Sequence, residues 1–92
     1  MLLVCGPARY DWGSLDAAIY IANFELAAKA AGLGTCWAGF TTRAASQAAL
    51  VGEKIGLGSE EKVFGAVMLG KPKFAYHRVP PRKPLNVKII TN

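Results

Sequence analysis

Apolar runs and the residues that interrupt them divide this chain into alternating strand-like and helix-like segments. Leu2 to Cys5 is a short apolar run closed by Gly6-Pro7, the pattern of a buried strand that stops where proline cannot donate a ladder hydrogen bond. After a loop carrying Arg9, Tyr10 and Trp12, Ser14 offers an N-cap and Asp16 a first-turn acid. Lys29 is a last-turn base, and Gly32 can take the left-handed position just past a helix end. A helix is therefore predicted from Leu15 to Ala31. Gly34 to Phe40 reads as a strand or extended loop whose small residues let something approach the backbone closely. A shorter helix is predicted from about Arg43 to Lys54, closed by Gly56 or Gly58, and Lys62 to Leu69 reads as a strand. The order is β-α-β-α-β followed by an extended tail.

The long helix is apolar on nearly every side, with only Asp16, Asn23, Glu25 and Lys29 as interruptions. Glu25 and Lys29 read as an i,i+4 pair on its one wet stripe. A helix apolar all round must be buried all round. A chain of 92 residues, 52% of them apolar, is one small domain that hides on the order of 60 to 65% of its unfolded surface. That is too little material to cover such a helix, so a subunit or domain interface is expected. A membrane span fits less well, because the run is slightly short and holds four polar residues.

Charge is divided unevenly. Up to Glu61 the chain carries a net −2, and from Lys62 onward it holds seven basic residues and no acidic one, which gives the total of +5. Most of these bases stand among prolines in Tyr76-His-Arg-Val-Pro-Pro-Arg-Lys-Pro84. Arginine's planar fork binds phosphate at two points, and a proline-stiffened arm holds it with little entropy to lose. A local phosphate-bearing ligand is one reading and a solvated basic tail is the other. So uneven a charge argues against diffuse nucleic-acid coating, and a small nucleic-acid binder using the basic tail is the weakest reading, since Phe74 and Tyr76 are few aromatic residues and no recognised module fits.

Cys5 and Cys36 lie in apolar runs without CxxC spacing, and His77 is the one histidine. No metal site or Cys–His pair is expected, and the cysteines read as buried free thiols suited to a reducing compartment. The start Met-Leu-Leu-Val-Cys-Gly-Pro lacks a basic n-region, so a cytoplasmic location is expected. Gly32, Gly34 and Gly39 follow a helix at the wrong spacing for a dinucleotide fingerprint. Trp12 and Tyr10 read as a staple at the helix start or as a stacking platform.

Five pieces in register carry a family resemblance: Asp16-Ala-Ala-Ile19, Leu26-Ala-Ala-Lys-Ala-Ala-Gly-Leu-Gly34, Thr35-Cys-Trp-Ala-Gly39, Val67-Met-Leu-Gly-Lys-Pro72 and Pro81-Arg-Lys-Pro-Leu85. Together they resemble the carboxy-terminal half of the FMN-dependent nitroreductases. The resemblance implies an α+β fold, a partial nitroreductase-like α/β sandwich over residues 1–92. Its long apolar helix would lie at a homodimer interface, and residues 71–92 would form an extended basic arm. It also implies that Trp37, Ala38 and Gly39 run along the flavin ring and that Arg82 meets the FMN phosphate. No side chain is expected to be catalytic in itself, because the flavin carries the chemistry.

Family members are about twice this length, and their amino-terminal half brings further arginine and serine contacts to the phosphate. In some branches a hydroxyl-bearing residue stands where this chain has Gly39, which leaves only a backbone N–H there. The activity implied is hydride transfer from NAD(P)H through FMN to a nitro, quinone or similar acceptor. The alternative is a non-catalytic dimerising module or truncated remnant without bound flavin.

Overall fold

The structure, a computed structural model, describes all residues from 1 to 92. Strand β1 (Leu2–Pro7) is followed by helix α1 (Gly13–Ala30), strand β2 (Gly34–Trp37), helices α2 (Gly39–Gln47) and α3 (Ala49–Lys54), and strand β3 (Glu61–Gly70). The last strand is the middle of the sheet: the order is β1-β3-β2, and both outer strands run antiparallel to β3. Residues 71–92 form no helix or strand, and all are exposed.

The central position of β3 follows from its composition. Val63, Ala66 and Val67 are at most 1% exposed and Gly65 is buried too, a continuous apolar run of the kind that suits a strand covered on both faces. β1 pairs Val4 with Gly65 and Cys5 with Val63, so Phe64 has no partner and forms a bulge. A bulge re-aims the side chain it carries. Here the Phe64 ring lies against Gly13, where an added Cβ would stand 2.3 Å from the ring's Cζ, and within 3.5 Å of the Cβ position of Gly6.

α1 packs its Ala17, Ile21 and Ala28 face inward. Ile21 is fully buried and occupies the space a side chain at Gly65 would need, with its Cδ1 2.5 Å from that Cβ position. Burying such a side chain contributes roughly 1.5–3 kcal/mol. The helix ends as its sequence foretells: Gly32 has φ +75°, the Leu33 N–H donates to the Ala28 carbonyl at 2.9 Å, and the Gly32 N–H donates to the Lys29 carbonyl at 3.0 Å. These two bonds are a Schellman ending. Gly56 closes α3 in the same way, with φ +73° and bonds from Leu57 to Gly52 and from Gly56 to Glu53.

Several expectations are corrected. Ser14 is not the N-cap; α1 starts at Gly13 with Trp12 in the cap position and no side-chain cap bond. A turn in which the Gly13 N–H donates to the Tyr10 carbonyl delivers the chain into the helix, and Gly13 is held against Phe64. Trp12 is 63% exposed, and the Tyr10 hydroxyl donates to Asp16 at 2.8 Å. The single helix over Arg43 to Lys54 is two, starting at Gly39 and broken at Ala48, whose φ −123° and ψ 106° are extended. Cys5 and Cys36 are free but exposed, because each sits on an outer strand of a sheet with only three strands.

Much apolar surface is left uncovered. Leu15, Ile19, Tyr20 and Leu26 on α1 are 54–73% exposed. The accessible surface of 8087 Å² compares with about 5,200 Å² for a compact monomer of this mass. The radius of gyration is 16.8 Å, where a compact chain of this length would have about 12 Å. No helix is long and apolar enough to cross a membrane.

Candidate functional site

The corner between β2 and α2 gathers three of the four residues expected to touch a cofactor. Trp37 ends β2, Ala38 makes the turn with φ −102° and ψ 64°, and Gly39 opens α2. Ala38 is buried and held from both sides. Its N–H donates to the Ala66 carbonyl at 2.8 Å, and its own carbonyl accepts from the Thr42 N–H at 3.2 Å and the Thr42 hydroxyl at 3.4 Å. No side chain caps α2. The first N–H groups of a helix have no partner within it, so those of Gly39, Phe40 and Thr41 present partial positive charge at this corner.

Gly39 is exposed, its φ is not positive, and a Cβ added there would meet nothing within 4 Å. Neither backbone strain nor internal packing demands a glycine at this position. Gly13 and Gly65 are the opposite case, since each is filled against by a neighbouring side chain.

Trp37 is 47% exposed, yet its indole is tied: Nε1–H donates to Glu25 Oε2 at 3.0 Å, and the Thr35 hydroxyl donates to Glu25 Oε1 at 3.0 Å. Glu25 therefore reaches across to β2 and does not serve as an i,i+4 partner on a wet stripe. Beside the corner lies an open cleft of about 440 Å³, lined among others by Ser14, Trp37, Gly39, Thr42, Arg43 and Lys62. Two cations and no carboxylate face it. The Lys62 ammonium stands 5.5 Å from the centre of the Phe64 ring, a cation–π distance.

Arg82 is not brought to this corner by any bond within the chain. It is exposed in the irregular segment, between Pro81 and Lys83, and no side-chain hydrogen bond holds it. Glu25, Thr35 and Thr42 are the residues that sequence reasoning missed. The signal for Glu25 was there, an acid between Phe24 and Leu26 in an otherwise apolar stretch. Two titrating groups are perturbed. Partial desolvation of an otherwise exposed side chain and the Glu61 carboxylate push the Cys5 thiol up, and the Tyr10 hydroxyl is raised by its hydrogen bond to Asp16, by desolvation and by the charge of that carboxylate.

Residues 3–71 match the Nitroreductase family, and the chain belongs to that family. Among solved structures it is similar to a nitroreductase with bound FMN from Bacteroides fragilis, with 25% identity and a TM-score of 0.78. The similarity covers 97% of this chain and 49% of that one, so the chain spans about half the length of that relative. No curated protein matches it. The fold is thus nitroreductase-like, with a three-stranded antiparallel sheet and helices around it.

Proposed function

We propose that this chain is the carboxy-terminal half of an FMN-dependent oxidoreductase site of nitroreductase type. In this reading Trp37, Ala38 and Gly39 lie against the flavin ring and Arg82 takes the phosphate. Gly39 carries the proposal, because it has room for a side chain, ordinary backbone angles and an N–H with no intrahelical partner. Nothing inside the chain calls for a glycine there, and a flat ligand lying on the backbone does. Family membership and the similarity to an FMN-bound nitroreductase support the same reading.

Bound FMN would supply hydride transfer from NAD(P)H to a nitro, quinone or similar acceptor. The chain's own residues bind and orient. The N–H groups at the start of α2 favour electron-rich edges of a ligand, and Ala38, pinned to Ala66, fixes the height of the backbone beneath it. Arg82 has no internal partner and stands beside prolines that limit its wandering. The outer face of α1 would meet a second copy, or an amino-terminal half supplied separately, which also brings the remaining phosphate contacts.

Binding of FMN and riboflavin, followed by visible absorption, tests this with the chain alone and with the amino-terminal half of a family relative added. Arg82→Ala should weaken FMN more than riboflavin, by on the order of 2 to 5 kcal/mol for one side of a desolvated charge pair. Arg82→Lys should recover only part, since an ammonium lacks the two-point contact. Equal losses for the two flavins would show that Arg82 merely holds the segment in place. The second reading, a dimerising module without flavin, is favoured by the chain's half-length match and the exposed α1 face; a colourless dimer that takes up neither flavin supports it.

A further inference from the structure

We propose that Glu25 is a positioning residue for the Trp37–Gly39 corner, acting through the Trp37 indole. The inference rests on reading that corner as the flavin-contacting edge. Among the polar residues of α1, Glu25 alone reaches the sheet. Asp16 accepts from Tyr10, and Asn23 donates back to the Ile19 carbonyl of its own helix at 2.9 Å. Glu25 engages both carboxylate oxygens, one with Thr35 and one with Trp37, each at 3.0 Å.

Thr35 and Trp37 are two apart on β2, so they share a face of the strand. One half-buried carboxylate thus clamps successive residues on that face, the second of them adjacent to Ala38. Charge-assisted bonds of this kind are the stronger ones. The position lies between Phe24 and Leu26, where a leucine would continue the apolar run without any cost of desolvating a charge. What the carboxylate adds over a leucine is direction: an indole nearly half exposed on an outer strand is held in one orientation.

The test follows the indole N–H resonance of Trp37 in ¹⁵N-labelled protein, distinguished from that of Trp12 by Trp12→Phe. Glu25→Leu should move the resonance and speed its hydrogen exchange about tenfold, with the amide pattern of α1 unchanged. Glu25→Gln keeps an acceptor oxygen and should stay near the parent protein. If Glu25→Leu does not fold, Thr35→Val removes the second donor without touching α1 and should speed exchange by a smaller factor. In the flavin-binding assembly, Glu25→Leu should weaken FMN and riboflavin alike, about tenfold, while Glu25→Gln does not.

Unchanged indole exchange in the leucine variant, or equal flavin loss in Glu25→Gln and Glu25→Leu, overturns the proposal. Failure of the parent assembly to bind any flavin overturns the functional reading instead. The indole measurement then still decides whether Glu25 fixes Trp37.

Discussion

Along α1, Ala17, Ile21 and Ala28 are closed off against the sheet, whereas Leu15, Ile19, Tyr20 and Leu26, a fraction of a turn away, are more than half exposed. Both faces are built from the same kinds of residue. The inner face is matched by the chain itself: Gly65 is a glycine because Ile21 fills the space above it. The outer face has no such counterpart among these 92 residues. Apolarity in a helix thus announces that a face is to be covered without naming what covers it, and complementary shape elsewhere in the chain separates the two cases.

The contrast breaks first at its strongest point. Ile21→Ala should cost about 2–5 kcal/mol, read as a lower urea midpoint and lost helical circular dichroism. On the outer face, Leu26→Asp should leave the helix signal intact and shift the sedimenting species toward monomer. A parent protein that is already a folded monomer at micromolar concentration removes the interface reading altogether.

The glycines sharpen the same contrast at a smaller scale. Gly13→Ala drives a Cβ into the Phe64 ring and should cost about 1–3 kcal/mol, the usual range for overpacking. Gly39→Ala meets open space and should stay within about 0.5 kcal/mol in chemical denaturation. Its effect belongs to ligand binding, and Gly39→Val should abolish flavin uptake while helix content stays unchanged.

The smallest effect is in pH. The pKa of Tyr10 in the folded chain lies above its ordinary value because its hydroxyl donates to Asp16. That bond's contribution is complete below about pH 10, the unfolded value, and disappears as pH rises through the raised one. Urea midpoints measured across this range should fall in the parent protein by an increment that is absent in Tyr10→Phe.

The succession of elements was legible because apolar runs are bounded by Gly6-Pro7, Gly32 and Gly56, residues whose backbone preferences are local. What escaped was set by contacts distant in sequence. The start of α1 answers to Phe64, fifty-one positions away, and not to the good cap residue at Ser14. Exposure of Cys5 and Cys36 follows from how few strands the sheet has, which hydrophobicity does not encode. At the candidate site, Gly34 to Phe40 was readable as an extended segment with small residues and the family resemblance singled out Trp37, Ala38 and Gly39, but the turn into α2 at Gly39 was not readable. Nor was the role of Glu25, since it depends on α1 and β2 lying side by side.

β3 is the middle of the sheet, and both strands that pair with it precede it in the chain. Neither outer strand has a pairing partner until it emerges, and Ile21 on the inner face of α1 lacks Gly65 to rest on. A nascent chain ending near Glu60 therefore holds helix-forming sequence with nothing to organise it, and Leu2 waits for Val67. Long-range pairing of this kind is slow to form and leaves apolar surface open meanwhile. Loss of β3 removes the whole sheet at once, because β1 and β2 pair only with it.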